Sequence, residues 1–404
     1  MNDLEGYALV QTTVNPLFGR NDLLKKGSIF VHFMKNYDIV IVGAGPVGCC
    51  IAERCASQLN WKVKLIDKRP HVAGNCYDRF HDSGVMIHQY GPHYFRTNNQ
   101  ELLTYLTQFT EWLPGNYFVS SFSRNEYFPF PINLLTLAQF FKKEKLSPEE
   151  GKALLEEVRE KIENPKNSEE FVLSRVGREM YEAFYLGYTL KQWDMHPRDL
   201  SPSVCGRIPV RFNEDCRYVD HAFQLTPKEG FTAMFTRMIS HPNIDVELGI
   251  EYNKSEHQAA VVVYTGPVDE YFEYRLGKLA WRSLAFDFKH VEQERIQPNV
   301  QINYPNDFDY TRTVEIKHVT QQDHPHTVIS YEYPKAEGDP YYPIPTENNH
   351  ALYLKYKELA DEEMEKNHVY FCGRLAEYKY FNTDEVLENA LRTFEMIRKN
   401  HGHQ

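Results

Sequence analysis

No stretch of this sequence approaches the roughly 18 to 20 consecutive apolar residues that a bilayer-spanning helix needs. The N-terminus also lacks a basic start followed by an apolar block. A cytoplasmic protein, neither exported nor held in a membrane, is expected. Cysteine is sparse and unpatterned: seven residues, with no C-x-x-C pair and no regular frame. That excludes a disulfide scaffold and a structural zinc site, and no metal is expected. Positive charge is in deficit, 45 Lys and Arg against 56 Asp and Glu, for a formal net charge of -11. Broad nucleic-acid binding needs a basic face that displaces counterions, so nucleic acid is not an expected partner. Internal repeats and long low-complexity segments are absent too.

What is present is a chain of 404 residues, 42% hydrophobic, longer than one compact domain and able to fill two or three lobes. Residues 1–33 are punctuated by Gly, Asn and Lys, and Met34 stands directly before a strand-like run. They read as an upstream N-terminal extension.

Residues 37–42 alternate and then fill with Ile and Val, as a buried parallel strand does, and run into Gly43-Ala44-Gly45-Pro46-Val47-Gly48. Small and apolar residues at helical spacing follow over 49–59. A second apolar run, 62–66, ends in Asp67, 19 residues after the third glycine. Strand, G-x-G-x-x-G, helix, strand and acid make the dinucleotide-binding unit. Gly43 permits the tight turn, Gly45 lets the backbone approach a pyrophosphate, and Gly48 allows close helix packing. The helix N-terminus offers free N–H groups, and Asp67 accepts hydrogen bonds from ribose hydroxyls.

Lys68 and Arg69 continue the acid with a basic pair, and Gly74-Asn75 makes a turn. This extension is similar to that of FAD enzymes of the glutathione-reductase-like type, so FAD is the expected cofactor. Near the C-terminus a short buried strand, 369–371, turns through Gly373-Arg374. A helix beginning at Thr383 and Asp384 then runs to Lys399, its N-terminus placed to approach the flavin.

The expected fold class is α/β: an FAD-binding Rossmann-like domain with an inserted helical lobe and an inserted antiparallel β-sheet lobe. The FAD-binding domain is assigned to 34–100, 228–288 and 350–404. Residues 101–200 carry helical periods, with Ser147-Pro148-Glu149-Glu150 capping a run over 153–162. Residues 201–227 and 289–349 alternate as strands do, notably over 313–318 and 327–331. The active site is expected where the three parts meet.

Five segments, in order, resemble signature segments of bacterial UDP-galactopyranose mutases. They are Gly91-Pro92-His93-Tyr94-Phe95-Arg96-Thr97-Asn98-Asn99, Gly187-Tyr188-Thr189-Leu190-Lys191-Gln192-Trp193, Arg207-Ile208-Pro209-Val210-Arg211-Phe212, Tyr264-Thr265-Gly266-Pro267 and Gly373-Arg374-Leu375-Ala376-Glu377-Tyr378-Lys379-Tyr380. The resemblance covers essentially everything after Met34. It implies a flavin-dependent isomerase that interconverts pyranose and furanose forms of a nucleotide sugar through a flavin N5–sugar adduct. It also implies an external electron donor to reduce the flavin, and a homodimer.

Diphosphate departure builds negative charge, which guanidinium groups meet as a fork. Arg211 and Arg312 sit where the family's two essential arginines lie, the first on its mobile loop. Pro209 makes a bent loop, not a helix, of the segment from Arg207 to Arg211. Tyr188, Tyr342 and Tyr380 match tyrosines lining the substrate channel, and Tyr341 is an alternative to Tyr342. Thr189 and Trp193 belong to the same motif; Tyr218 and Phe223 fall where aromatics flank the base. His88 and His93 lie in the segment that reaches the flavin. Thr265 and Gly266 join the cofactor set. Each of these residues also has a plainer reading as a solvated charge, a half-buried core tyrosine or a histidine satisfied by backbone.

The sequence departs from the family in three places. Arg96 replaces a usual histidine, Asp194 a common glycine, and residues 224–231, preceded by Glu214-Asp215-Cys216-Arg217, differ on the nucleotide and sugar side. UDP-galactose, a dTDP-linked 6-deoxy sugar such as fucose, and UDP-N-acetylgalactosamine all remain open substrates. The alternative class is an FAD-dependent oxidoreductase of the amine-oxidase-like type, which has no need of paired arginines around a diphosphate.

Overall fold

Two β-branched runs set the frame. In the computed structural model, which describes residues 37–402, strands Ile39–Val42 and Val63–Asp67 pair in parallel, with Ile39, Ile41, Val63 and Leu65 wholly buried. The extension expected over 1–33 lies outside the described residues. Strands Ile244–Leu248, Val63–Asp67, Ile39–Val42, Val261–Tyr264 and Val369–Phe371 lie side by side in that order, all parallel. Helix Pro46–Leu59 turns small residues, among them Cys49, Ala52 and Ala56, toward the core. This lets helix Thr383–His401 pack on it through Leu387, Ala390, Phe394 and Ile397. Chain order runs outward on both sides of Ile39–Val42, so the switch point of this doubly wound sheet is where the glycine-rich turn emerges.

A second sheet has seven strands, in the order Tyr342–Pro343, Trp281–Val291, Thr327–Lys335, Arg312–Val314, Gln301–Asn303, Val119–Ser123 and Glu126–Phe130. Every pairing is antiparallel except Gln301–Asn303 on Val119–Ser123. Two expected boundaries move. Trp281–Val291 crosses the expected edge at 288, because its register with Thr327–Lys335 is continuous from Ser283↔Lys335 to Val291↔Thr327. Within 101–200, expected to be helical, Val119–Ser123 and Glu126–Phe130 form a hairpin. Its turn is Arg124-Asn125, at φ 51 and 62, the left-handed pair that matches strand twist without a glycine to announce it.

The remaining helical stretch holds helices Pro148–Val158 and Ser168–Tyr181, a π-turn at Glu182–Leu186 and helix Gly187–Trp193. Ser147 caps the first with Glu150 in a reciprocal box. The helical run expected to reach 162 stops at Val158, whose carbonyl lies 2.2 Å from where a Cβ on Gly177 would stand. The strand expected over 313–318 stops at Val314 and gives way to the short helix Lys317–Thr320. Buried Glu315, between them, accepts from the Ile296 and Gln297 amides.

The nucleotide-domain helix Phe231–Met238 starts on Gly230, at φ +89, and borrows its cap from a distant strand. Asp78 Oδ2 accepts from Phe231 N at 2.5 Å and Oδ1 from Thr232 N at 3.0 Å. A Cβ on Gly230 would fall 2.6 Å from that carboxylate. Asp78→Ala is expected to lower stability by about 1–2 kcal/mol through loss of the cap, and Gly230→Ala by more, in urea unfolding of the FAD-loaded protein.

Candidate active site

At the carboxyl ends of the parallel strands the backbone is bare. Gly43, at φ +107, turns the chain so tightly that a Cβ would sit 1.9 Å from Thr265 Oγ1. That hydroxyl donates to the Val42 carbonyl at 2.8 Å, so Thr265 locks the turn. A Cβ on Gly48 would strike the Gly43 carbonyl at 1.8 Å, and one on Gly74 would stand 2.9 Å from Gly45 Cα. Gly266 abuts the Tyr264 ring, and Gly373, at φ +106, faces Val47.

Helix Pro46–Leu59 starts on Gly45 with no side-chain cap and no acid in its first turn, whereas helices at 148, 168, 347 and 383 start on Ser147, Asn167, Thr346 and Asn382 caps. Its first N–H groups are thus left for an anion. Asp67 accepts from Ala44 N at 2.7 Å and Arg69 N at 2.8 Å, one bond to each oxygen, with lone pairs left for hydroxyls. These residues fit a dinucleotide. Lys68 is exposed, 3.8 Å from Glu270. Arg69 donates to Asn75 Oδ1 and Asp339 Oδ2, both at 2.8 Å, and lies over the Tyr90 ring, tying the nucleotide domain to the sheet lobe.

This crevice continues into a cleft of about 470 Å³ where the lobes meet. Asn75, Arg374 and Thr383 line it beside the glycine turns, as do His93, Arg96, Tyr117, Arg207, Tyr218, Arg312, Tyr342 and Tyr380. Four guanidiniums face one lining carboxylate, Glu385. Arg312 opens its strand directly opposite Glu332 and pairs with that wholly buried carboxylate at 2.7 Å. Burial works against the charge of Arg312, but Glu332, Tyr188 and Tyr342 hold its pKa well above the ordinary value. Its Nε is buried without a protein partner among the described residues.

Tyr380 lies under Arg374 and Arg207, whose Cζ atoms stand 4.7 and 5.5 Å from its ring centroid. Although crowding by the cleft walls costs its charged form some solvation, Arg374, Arg207, Arg96 and Arg312 together hold the phenol of this partly exposed tyrosine below the usual value. Tyr342 stacks on Tyr380 at 6.0 Å. Arg96 donates to Tyr94 Oη at 3.0 Å and to Asn382 Oδ1 at 2.5 Å, joining the cleft to the N-cap of the last helix.

The other expected site residues lie back from this surface. Arg211 is buried and turned into its own loop: its fork meets Asp220 Oδ1 at 2.5 Å and the carbonyls of Asp215 and Arg217. As expected from Pro209, residues 207–211 form an irregular loop. His88 stands behind His93 and accepts the His93 amide on Nδ1 at 3.0 Å; His93 Nδ1 contacts the Gly91 carbonyl at 2.9 Å. Burial pushes their pKa values down, to about 4 and about 3, so both are neutral near pH 7. Tyr188 acts on Arg312 from the helix behind, and burial raises its phenol. Thr189 faces Cys205 at 3.9 Å, and Trp193 reaches the cleft through Tyr342, ring centroids 6.1 Å apart. Phe223 packs on the nucleotide-domain core. Glu332 and Tyr117 were not singled out by sequence. The cross-strand register would have found Glu332, but register is set by contacts far apart in the chain.

A sequence model of the family described as UDP-galactopyranose mutase matches residues 183–380, and one of NAD(P)-binding Rossmann-like domains matches 41–109. A Klebsiella pneumoniae protein described as a probable UDP-galactopyranose mutase is 42% identical over 368 residues, covering 89% of this chain and 94% of its own. The dTDP-fucopyranose mutase of Escherichia coli is 34% identical, covering 90% and 98%. The crystal structure of a reduced UDP-galactopyranose mutase superposes with a TM-score of 0.70 at 16% identity, over 90% of this chain and 96% of that one, which bears on the fold. A putrescine oxidase shares the frame more loosely, with a TM-score of 0.55 at 12% identity. Collinear similarity over nine-tenths of the sequence, at up to 42% identity, together with the dinucleotide crevice and its arginine-lined cleft, makes this chain a member of the UDP-galactopyranose mutase family.

Proposed function

We propose that the protein interconverts the pyranose and furanose forms of a nucleotide-linked sugar, with FAD in the crevice and the diphosphate in the cleft. The observation that carries this reading is the cluster of four guanidiniums opening onto the dinucleotide turns. Reduced FAD supplies, when bound, a nucleophile for the anomeric carbon. Arg312 and Arg207, with the Tyr342 and Tyr380 hydroxyls, take up the charge that develops as the sugar–phosphate bond breaks, and hold the diphosphate for its return. Arg312 is preorganised by Glu332, so little rearrangement accompanies charge build-up. Arg211 joins them on release from Asp220. His93, kept neutral, offers a hydrogen bond without adding charge. Asp67, Arg69, Gly74, Asn75 and Thr383 orient the cofactor.

An external donor reduces the flavin, and the working form is a cytoplasmic homodimer. Among the described residues no helix is long and apolar enough to cross a membrane. The amine-oxidase-like alternative shares the frame but gives the arginine cluster no task. Arg96 adds donors to the pocket wall.

Anaerobic, dithionite-reduced protein is expected to isomerise at least one of UDP-galactofuranose, dTDP-fucopyranose and UDP-N-acetylgalactosamine, resolved by chromatography, with no isomerisation by oxidised protein. Net oxidised product instead of an isomer would favour the oxidoreductase. Arg312→Ala is expected to lower kcat by roughly 10²–10³-fold while FAD absorbance stays stoichiometric; retained turnover in Arg211→Ala would remove that residue from the site. The histidines give a stability prediction. His88 takes a proton only near pH 4 when folded but near 6.5 when unfolded, so its contribution is complete above pH 6.5 and declines toward pH 4. The melting temperature should fall across that window, and less steeply in His88→Gln.

A further inference from the structure

Lys191 lies outside the cleft, yet its ammonium is the centre of a cage of backbone carbonyls. From helix Gly187–Trp193 it donates to the carbonyls of Tyr304, Asp307, Phe308 and Tyr310, the last three at 3.0, 3.2 and 3.2 Å. Those residues form the loop between strands Gln301–Asn303 and Arg312–Val314, so the cage ends at Tyr310, two residues before Arg312. Within the loop Phe308 sits at φ +58, a left-handed conformation that is unfavourable for a side-chain-bearing residue and needs outside support. The Lys191 bond to its carbonyl is part of that support.

Two further contacts dock the same loop on the same helical segment. Asn306 Nδ2 donates to the Glu182 and Ala183 carbonyls of the π-turn, at 3.3 and 3.2 Å. A Cβ on Gly187 would stand 2.4 Å from the Pro305 carbonyl. That helical segment carries Tyr188, and the loop delivers Arg312.

We propose that Lys191 is a positioning residue, whose protonated ammonium fixes the 304–310 loop on the 187–193 helix and so sets Arg312 against Tyr188 for diphosphate departure. The inference rests on the mutase reading for its kinetic part. Burial lowers the lysine to about 8, against the opposing pull of Asp307 and Asp309. From strand Trp281–Val291, Arg282 donates to the Gln192 and Lys191 backbone carbonyls of the lysine's helix and is paired with its C-cap residue Asp194 at 3.7 Å. Loss of the proton leaves two N–H donors for four carbonyls and removes the charge that holds them.

The test compares wild type, Lys191→Met and Lys191→Arg as FAD-loaded protein. Lys191→Met is expected to keep FAD and to lose kcat by roughly ten- to hundredfold with a smaller change in KM. Wild-type kcat should fall as pH rises through about 8, whereas Lys191→Arg, which does not titrate there, should recover most of the rate and stay flat. Amide exchange over 304–311 should rise in Lys191→Met and remain unchanged over 261–264. Wild-type kcat in Lys191→Met, or a basic limb in Lys191→Arg identical to wild type, overturns the proposal. If Lys191→Met does not fold, the Lys191→Arg pH profile decides. A wild type that isomerises no nucleotide sugar overturns the mutase reading instead, and the exchange measurement then decides the loop by itself.

Discussion

Guanidinium groups repel one another, and this cleft gathers four of them around a space of about 470 Å³. The arrangement is tolerable because their neighbours are hydrogen-bond acceptors or tyrosine rings. Glu332, wholly buried, stands 2.7 Å from Arg312. Tyr380 offers a ring to Arg374 and Arg207, and Asn382 takes a hydrogen bond from Arg96. The cluster is thereby held in place by the protein's own groups. In the proposed reading a diphosphate meets these guanidiniums, and charge departure is the step they would assist.

The lobes serve that cluster. The parallel sheet brings Arg374 to the cleft one residue after the Gly373 turn, and the seven-stranded sheet holds Arg312 against Glu332 by strand register. The irregular segment after helix Ser203–Gly206 supplies Arg207. The helical stretch brings Tyr188 behind Arg312 and keeps the preceding loop in place through Lys191. Arg69, joined to both Asn75 and Asp339, ties the cofactor crevice to the sheet lobe.

The dinucleotide half was legible because its chemistry is local: a β-branched strand, three glycines, a helix and an acid follow one another within about thirty residues, and each has a backbone reason to be there. The lobes were legible as helical or strand-rich stretches but not in their edges. The Arg124-Asn125 turn carries no glycine, and Trp281–Val291 spans the expected border because its pairing with Thr327–Lys335 runs unbroken from Ser283 to Val291. In the cleft, motif residues such as Arg312 and Tyr380 could be named one at a time. Glu332, Tyr117 and the carbonyl cage around Lys191 could not, since each is defined by partners far away in sequence. The inward turn of Arg211 onto Asp220 is likewise a property of the folded loop.

Calorimetric titration of the reduced, FAD-loaded protein with UDP and with uridine at matched ionic strength tests the central claim most directly. The account predicts that UDP binds and uridine does not measurably do so, with UDP affinity falling as salt is raised, because the diphosphate is what the guanidiniums hold. Equal binding of the two, insensitive to salt, would place recognition in the base and contradict the assignment of the cleft to the diphosphate.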